Sequence, residues 1–250
     1  MENVFNRVPE VTGTFWIIKV MATTVGETAA DYLSVTLNLG LSFTSYIMSV
    51  LLLIVLLNQF RLKRYVPASY WIVVVFTSIT GTLITDNLVD NLGVSLVTTT
   101  IVFSIVLLAV FGLWYSNEKT LAMHSINTAK RELFYWVAIL FTFALGTATG
   151  DLLAEALKLG YAQSALVFGA IIAIIAISYY KFRMNAVLAF WAAYILTRPL
   201  GASMGDLLSQ PAKNGGLGLG TVGTSMLFLS IIVSLVIYLS LKQKKLLHHG

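Results

Sequence analysis

The sequence predicts an all-α membrane protein, with eight transmembrane helices arranged as four parallel two-helix repeats and both termini in the cytoplasm. Three observations carry this. Of 250 residues, 58% are hydrophobic and only 11% charged, with a mean hydropathy of +0.85, whereas a soluble domain carries about 25% charged residues. Apolar windows of roughly 20 residues, the length that crosses a bilayer, occur eight times. A tryptophan–glycine–aspartate pattern recurs at one spacing in every second window.

The first eleven residues are polar and hold Pro9, and the first window, 12–37, is too long for a signal h-region. It is expected to be a retained helix. Windows follow at 42–60, 68–90 and 95–115. A linker over 116–131, holding His124, separates two halves, and the remaining windows are 132–157, 161–181, 186–208 and 218–241. The two-helix units are therefore about 12–60, 67–117, 132–183 and 187–241, within one integral membrane domain over 1–250.

Orientation follows from lysine and arginine in the short loops. One set of connections and both tails hold Arg7, Arg61, Lys63, Arg64, Lys119, Lys130, Arg131, Lys181, Arg183, Lys242, Lys244 and Lys245; the opposite set holds only Lys158 and Lys213. Both termini are thus expected in the cytoplasm. The aromatic pairs Phe15-Trp16, Tyr70-Trp71, Tyr135-Trp136 and Phe190-Trp191 fall at the basic side, where an interfacial belt is expected. The net charge of +5 then reflects topology and an anionic inner leaflet, with the lipid bilayer as the expected partner and no nucleic acid. The chain has no cysteine, which removes disulfides, thiolate metal sites and a cysteine nucleophile.

The pattern W-x9-G-x4-D occurs four times: Trp16, Gly26, Asp31; Trp71, Gly81, Asp86; Trp136, Gly146, Asp151; and Trp191, Gly201, Asp206. Successive tryptophans lie 55, 65 and 55 residues apart. Each unit contains two helices, so the copies enter the membrane in one direction and relate by rotation about its normal, as a pseudo-fourfold ring or a pair of pairs. The even helices carry no charge inside their spans, which suits a lipid-facing layer.

On these residues the chain resembles a family of bacterial inner-membrane proteins described as a tandem repeat of unknown function, or as uncharacterised membrane-anchored proteins. The resemblance runs from about Val8 to Tyr238. It implies a bacterial multi-pass protein of the inner membrane and no particular activity.

The glycines each begin a small-xxx-small pair, the device that lets membrane helices approach closely, so Gly26, Gly81, Gly146 and Gly201 are expected to be packing positions. Each motif aspartate lies about 22 Å along its helix from an interfacial tryptophan. There Asp31, Asp86, Asp151 and Asp206 either accept hydrogen bonds from a neighbouring repeat or surround a cation. Glu27 near the midplane and Arg198, followed by Pro199, break the fourfold equivalence, and their depths differ by only about 6 Å. They are expected to pair across the ring, as a clamp or as a gate. Lys19 is expected to snorkel to the inner interface, Asp90 and Glu155 to extend an acidic mouth, and His124, His248 and His249 to be solvated. The run Gly215–Gly220 is expected to be a flexible loop.

Acidic residues outnumber basic ones inside the spans. That suits transport of a small cation, either a proton or a hard, oxygen-liganded metal ion, at Glu27 and the four motif aspartates. The alternative is a non-transporting membrane scaffold, sensor or assembly partner. No nucleophile–base pair or catalytic motif is present, so neither an enzyme nor a cofactor is expected.

Overall fold

The computed structural model describes residues 6–249, except for the side chains of 246–249. Residues 1–5, Gly250 and the side chains of His248 and His249 lie outside the described residues. Among those described there are eight α-helices and no strand: α1 (Gly13–Asp31), α2 (Leu41–Arg61), α3 (Pro67–Asp86), α4 (Leu96–Glu118), α5 (Ala129–Asp151), α6 (Tyr161–Phe182), α7 (Ala186–Ser209) and α8 (Gly220–His249). Seven of them, α2 to α8, are long and apolar enough to cross a membrane. The helix that falls short is α1, because Lys19, Glu27 and Asp31 crowd into its 19 residues.

Local sequence sets the helix ends. Thr12, Ser95, Thr128 and Asn185 accept the first free amides of α1, α4, α5 and α7, and Pro67 opens α3, where its missing N–H costs nothing. At the other end α1, α3 and α5 all stop at the motif aspartate and continue as a five-residue π-helical turn, Tyr32–Thr36, Asn87–Asn91 and Leu152–Ala156. The fourth copy differs. Helix α7 runs past Asp206 to Ser209, and the glycine-rich stretch after it is bound instead of free. The amides of Leu217, Gly218 and Leu219 donate to the carbonyls of Leu207, Gln210 and Leu208 at 2.7, 2.9 and 2.9 Å, which corrects the expectation of a flexible loop.

The odd helices form a closed ring: α1 packs on α3, α3 on α5, α5 on α7 and α7 back on α1. Each even helix docks on the odd helix of the following repeat, α2 on α3, α4 on α5, α6 on α7 and α8 on α1. No repeat is therefore a self-contained hairpin. The outer faces of the even helices expose Tyr46, Leu53, Ile105, Leu108, Leu166 and Ile174, an apolar surface far larger than a water-soluble monomer carries.

Two contacts repeat around the whole ring and explain the motif. A Cβ added to Gly26, Gly81, Gly146 or Gly201 would lie 2.5–2.7 Å from the Cβ of Ser78, Phe143, Arg198 or Thr23 respectively. Those four residues each stand seven positions after a tryptophan, so every motif glycine receives the same position of the next repeat. The aromatic residue before each tryptophan packs on the next repeat's indole: Phe15 on Trp71 at 5.7 Å, Tyr70 on Trp136 at 5.4 Å, Tyr135 on Trp191 at 6.2 Å and Phe190 on Trp16 at 5.7 Å. Trp71, Trp136 and Trp191 are buried in this collar. The indoles expected in an interfacial belt face neighbouring helices, because each repeat supplies a ring partner to the next repeat's tryptophan.

Both ends of the described chain lie on the face that carries the basic loops. The Arg7 amide donates to the Ile126 carbonyl at 2.9 Å, the Tyr65 amide to the Asn6 carbonyl at 2.9 Å, and Gln243 Nε2 near the end of α8 to the Tyr65 carbonyl at 2.9 Å.

Candidate functional site

The positions 3, 7 and 11 after each tryptophan fall on one helix face, and in a closed ring that face is the axis. Nearest the collar stand Lys19, Val74, Ile139 and Tyr194, then Thr23, Ser78, Phe143 and Arg198, then Glu27, Thr82, Thr147 and Ala202; all are buried. The axis is therefore filled by side chains from the collar up to Glu27.

Arg198 organises the middle of this stack. The stem of its fully buried side chain lies in the space that Gly146 leaves without a Cβ. Ala202, small where the other repeats hold Glu27, Thr82 and Thr147, leaves room for the guanidinium to rise into that layer. There Nη2 donates to Glu27 Oε2 at 2.7 Å, to Thr147 Oγ1 at 2.8 Å and to Thr82 Oγ1, while Nη1 donates to the Thr23 carbonyl at 3.1 Å. One side chain on α7 thus binds all three other ring helices. Thr23 returns the connection by donating to the Thr197 carbonyl at 3.2 Å.

Lys19 does not snorkel. Its side chain is fully buried, its Nζ has no hydrogen-bond partner, and it sits 4.1 Å and 4.2 Å from the ring centroids of Phe143 and Tyr194. The collar closes the way to the interface, so cation–π contact is what remains to the amine.

Above Arg198, at the end away from the basic loops, the carboxylates gather. One oxygen each from Glu27, Asp151 and Asp206 lies within 4.8 Å of the other two. Asp206 is buried, whereas Asp31, Asp86 and Asp151 are half-buried and reached by solvent. Asp31 and Asp86 stand outside this trio, but each of the four aspartates lies within electrostatic reach of Glu27. Asp90 and Glu155 are exposed on the π-helical turns beyond. Two oxygens on opposite sides of a hard cation are about 4.6–5.2 Å apart, given ligand distances of 2.3–2.6 Å. The trio has the spacing to hold one such ion, with Arg198 already neutralising part of the charge on Glu27.

Sequence reasoning missed one buried charge that lies away from the axis. Glu132, fully buried in the first turn of α5, accepts from Arg7 Nη1 at 2.7 Å, from Gln59 Nε2 at 3.0 Å and from Trp136 Nε1 at 3.4 Å. Gln59 accepts in turn from Ser69 Oγ at 2.7 Å. A glutamate four residues before a motif tryptophan shares its helix face, which was the available signal. The network pins the residues preceding α1 across the basic face, where Val8 enters the core. His124 is exposed in a short turn on the same face.

The motif, the ring and its filled axis belong to a repeat known from its sequence. A family model described as Repeat of Unknown Function (DUF347) matches residues 14–65, 69–120, 134–185 and 189–245. The chain belongs to the DUF347 repeat family. Each matched DUF347 segment begins two residues before its tryptophan, so the collar, the glycine contact and the aspartate all lie inside the repeat. No curated protein and no solved structure matches the chain.

Proposed function

We propose that this DUF347 protein is a multi-pass protein of a bacterial inner membrane that transports a small cation, a proton or a hard metal ion, through the carboxylates at the end of the odd-helix ring. In this reading α1 is the eighth span. Its charges face the ring axis and α8 covers its outside. Both termini are cytoplasmic, as the bias of lysine and arginine toward one face directs. The observation that carries the reading is the convergence of Glu27, Asp151 and Asp206 within 4.8 Å, at the solvent-reached end of a ring whose every other junction is tightly packed.

The filled axis argues for a carrier instead of an open pore. Arg198 and Lys19 are two basic groups stacked beneath the carboxylates, a steric and electrostatic barrier to a cation. Passage requires Arg198 to leave Glu27, which makes the ion pair the gate. The same filling favours a second reading, a scaffold or sensor that uses the ring for assembly and moves nothing.

Flux into proteoliposomes separates the two, with proton and divalent-cation fluxes measured for wild type and for Asp86→Asn, Asp151→Asn and Glu27→Gln. Transport predicts wild-type flux of one cation and its loss in folded Glu27→Gln and Asp151→Asn. Equal flux in all four proteins, or none in wild type, overturns it.

A further inference from the structure

We infer that the groove between α2 and α3 at the basic face binds an anionic phospholipid, with an acyl chain along its apolar wall and the phosphate at Arg61. The groove has a volume of about 510 Å³. Its wall is Ile54, Val55 and Leu57 on α2 with Ile72 on α3, and its polar residues are Asn58, Arg61 and Ser69. From Ile54 to Arg61 the helix rises about 10 Å, so the groove runs from an apolar end to a cationic one. Arg61 is the last residue of α2 and lies where a headgroup sits if α2 spans the bilayer.

The charge at that end is free. Arg61 is exposed, and the ion pairs of arginine and lysine among the described residues involve Arg7, Lys130, Arg131 and Arg198. Asn58, three residues before Arg61, shares its helix face. Lys63 and Arg64 follow in the exposed loop and add to the positive field. A ligand that matches both ends has a long apolar part and an anionic head. A neutral lipid leaves Arg61 uncompensated, and a free phosphate leaves the apolar wall uncovered.

The pairing of an asparagine with an arginine at this helix end occurs in one repeat, although the third repeat also has a basic residue there. Counted from the motif tryptophan, Arg61 corresponds to Ser116, Lys181 and Val236, and Asn58 to Leu113, Ser178 and Val233. A lipid held only by the general apolar surface would not distinguish these junctions. The inference rests on the membrane placement and is independent of cation transport.

The test is native mass spectrometry of the full chain, purified in detergent and given equal phosphatidylglycerol and phosphatidylcholine with identical acyl chains. Wild type is expected to retain the anionic lipid about fivefold over the neutral one, the preference one basic residue confers near a membrane surface. Arg61→Gln, at an exposed residue with no ion pair among the described residues, lowers the ratio toward one, and Arg183→Gln at the end of α6 leaves it at the wild-type value. Ile72→Trp, which fills the apolar wall, lowers retention of both lipids. A wild-type ratio near one, a ratio unchanged by Arg61→Gln, or lipid retention unchanged by Ile72→Trp overturns the inference.

Discussion

At the basic end of the ring, Phe15, Tyr70, Tyr135 and Phe190 hold equivalent positions, and each meets the next repeat's tryptophan in the same way. Farther along the axis, the equivalent positions hold Glu27, Thr82, Thr147 and Ala202, an ion-pair partner, two hydroxyl acceptors and a small residue around one arginine. The collar uses repetition for packing, since a contact that closes once closes four times. The charged layer departs from repetition because a single guanidinium can occupy the axis only once, and three neighbours must differ from the repeat that supplies it. The residues that break the symmetry, Lys19, Glu27 and Arg198, are buried charges.

The largest expected effect lies in that asymmetric layer. Arg198→Met leaves Glu27 buried and unpaired and is expected to cost about 3–5 kcal/mol, read as a lowered unfolding midpoint in detergent. Adding Glu27→Gln should recover much of it, since an ion pair replaced as a unit is often neutral. If the double variant is no more stable than Arg198→Met, the pair does not hold the ring.

The collar is tested next. Trp71→Ala is expected to lose about 3 kcal/mol, and Trp16→Ala less than half of that, because Trp16 is only half-buried. Equal losses would mean that the rings do not pack as a collar. At the glycine contact, Gly81→Ala drives a methyl onto Phe143 Cβ and against the Ala144 amide nitrogen and should cost about 1–3 kcal/mol. Gly169→Ala, with open space around it, should be neutral or slightly stabilising. A thermal scan that ranks these two glycines the other way removes the packing account of the motif.

Much of this was legible beforehand because the repeat is strict. The same W-x9-G-x4-D spacing after Trp16, Trp71, Trp136 and Trp191 reported a rotationally repeated unit, and the small-xxx-small glycines reported tight helix junctions. Which helix docks on which was not legible. Hairpin neighbours in sequence pack onto different repeats, and only tertiary contacts decide that. The tryptophans were placed at the right end of the helix but on the wrong neighbour, since period alone does not distinguish a lipid headgroup from the next repeat's ring. Lys19 was misjudged for the same reason: its depth allowed snorkelling, but Phe143 and Tyr194 stand in the way. Glu132 was hidden because its partners, Arg7 and Gln59, come from segments far apart in the chain.

The smallest effect sharpens the comparison from within the axis. Lys19→Met removes an amine without a hydrogen-bond partner while keeping an unbranched apolar stem. It should leave stability within about 1 kcal/mol of wild type or raise it, since an unsatisfied buried donor is costly. A loss well beyond that would give the cation–π contacts with Phe143 and Tyr194 a larger structural role than described.

In the proposed transport Glu27 is both a carboxylate of the trio and the partner of Arg198, and joint removal of the pair tests the proposal without the confusion of a lone buried charge. Cation flux into proteoliposomes is compared between wild type and the Glu27→Gln/Arg198→Met double variant, with their unfolding midpoints measured alongside. The prediction is lost flux at an unfolding stability within about 1 kcal/mol of wild type. A folded double variant that carries the wild-type flux would contradict it.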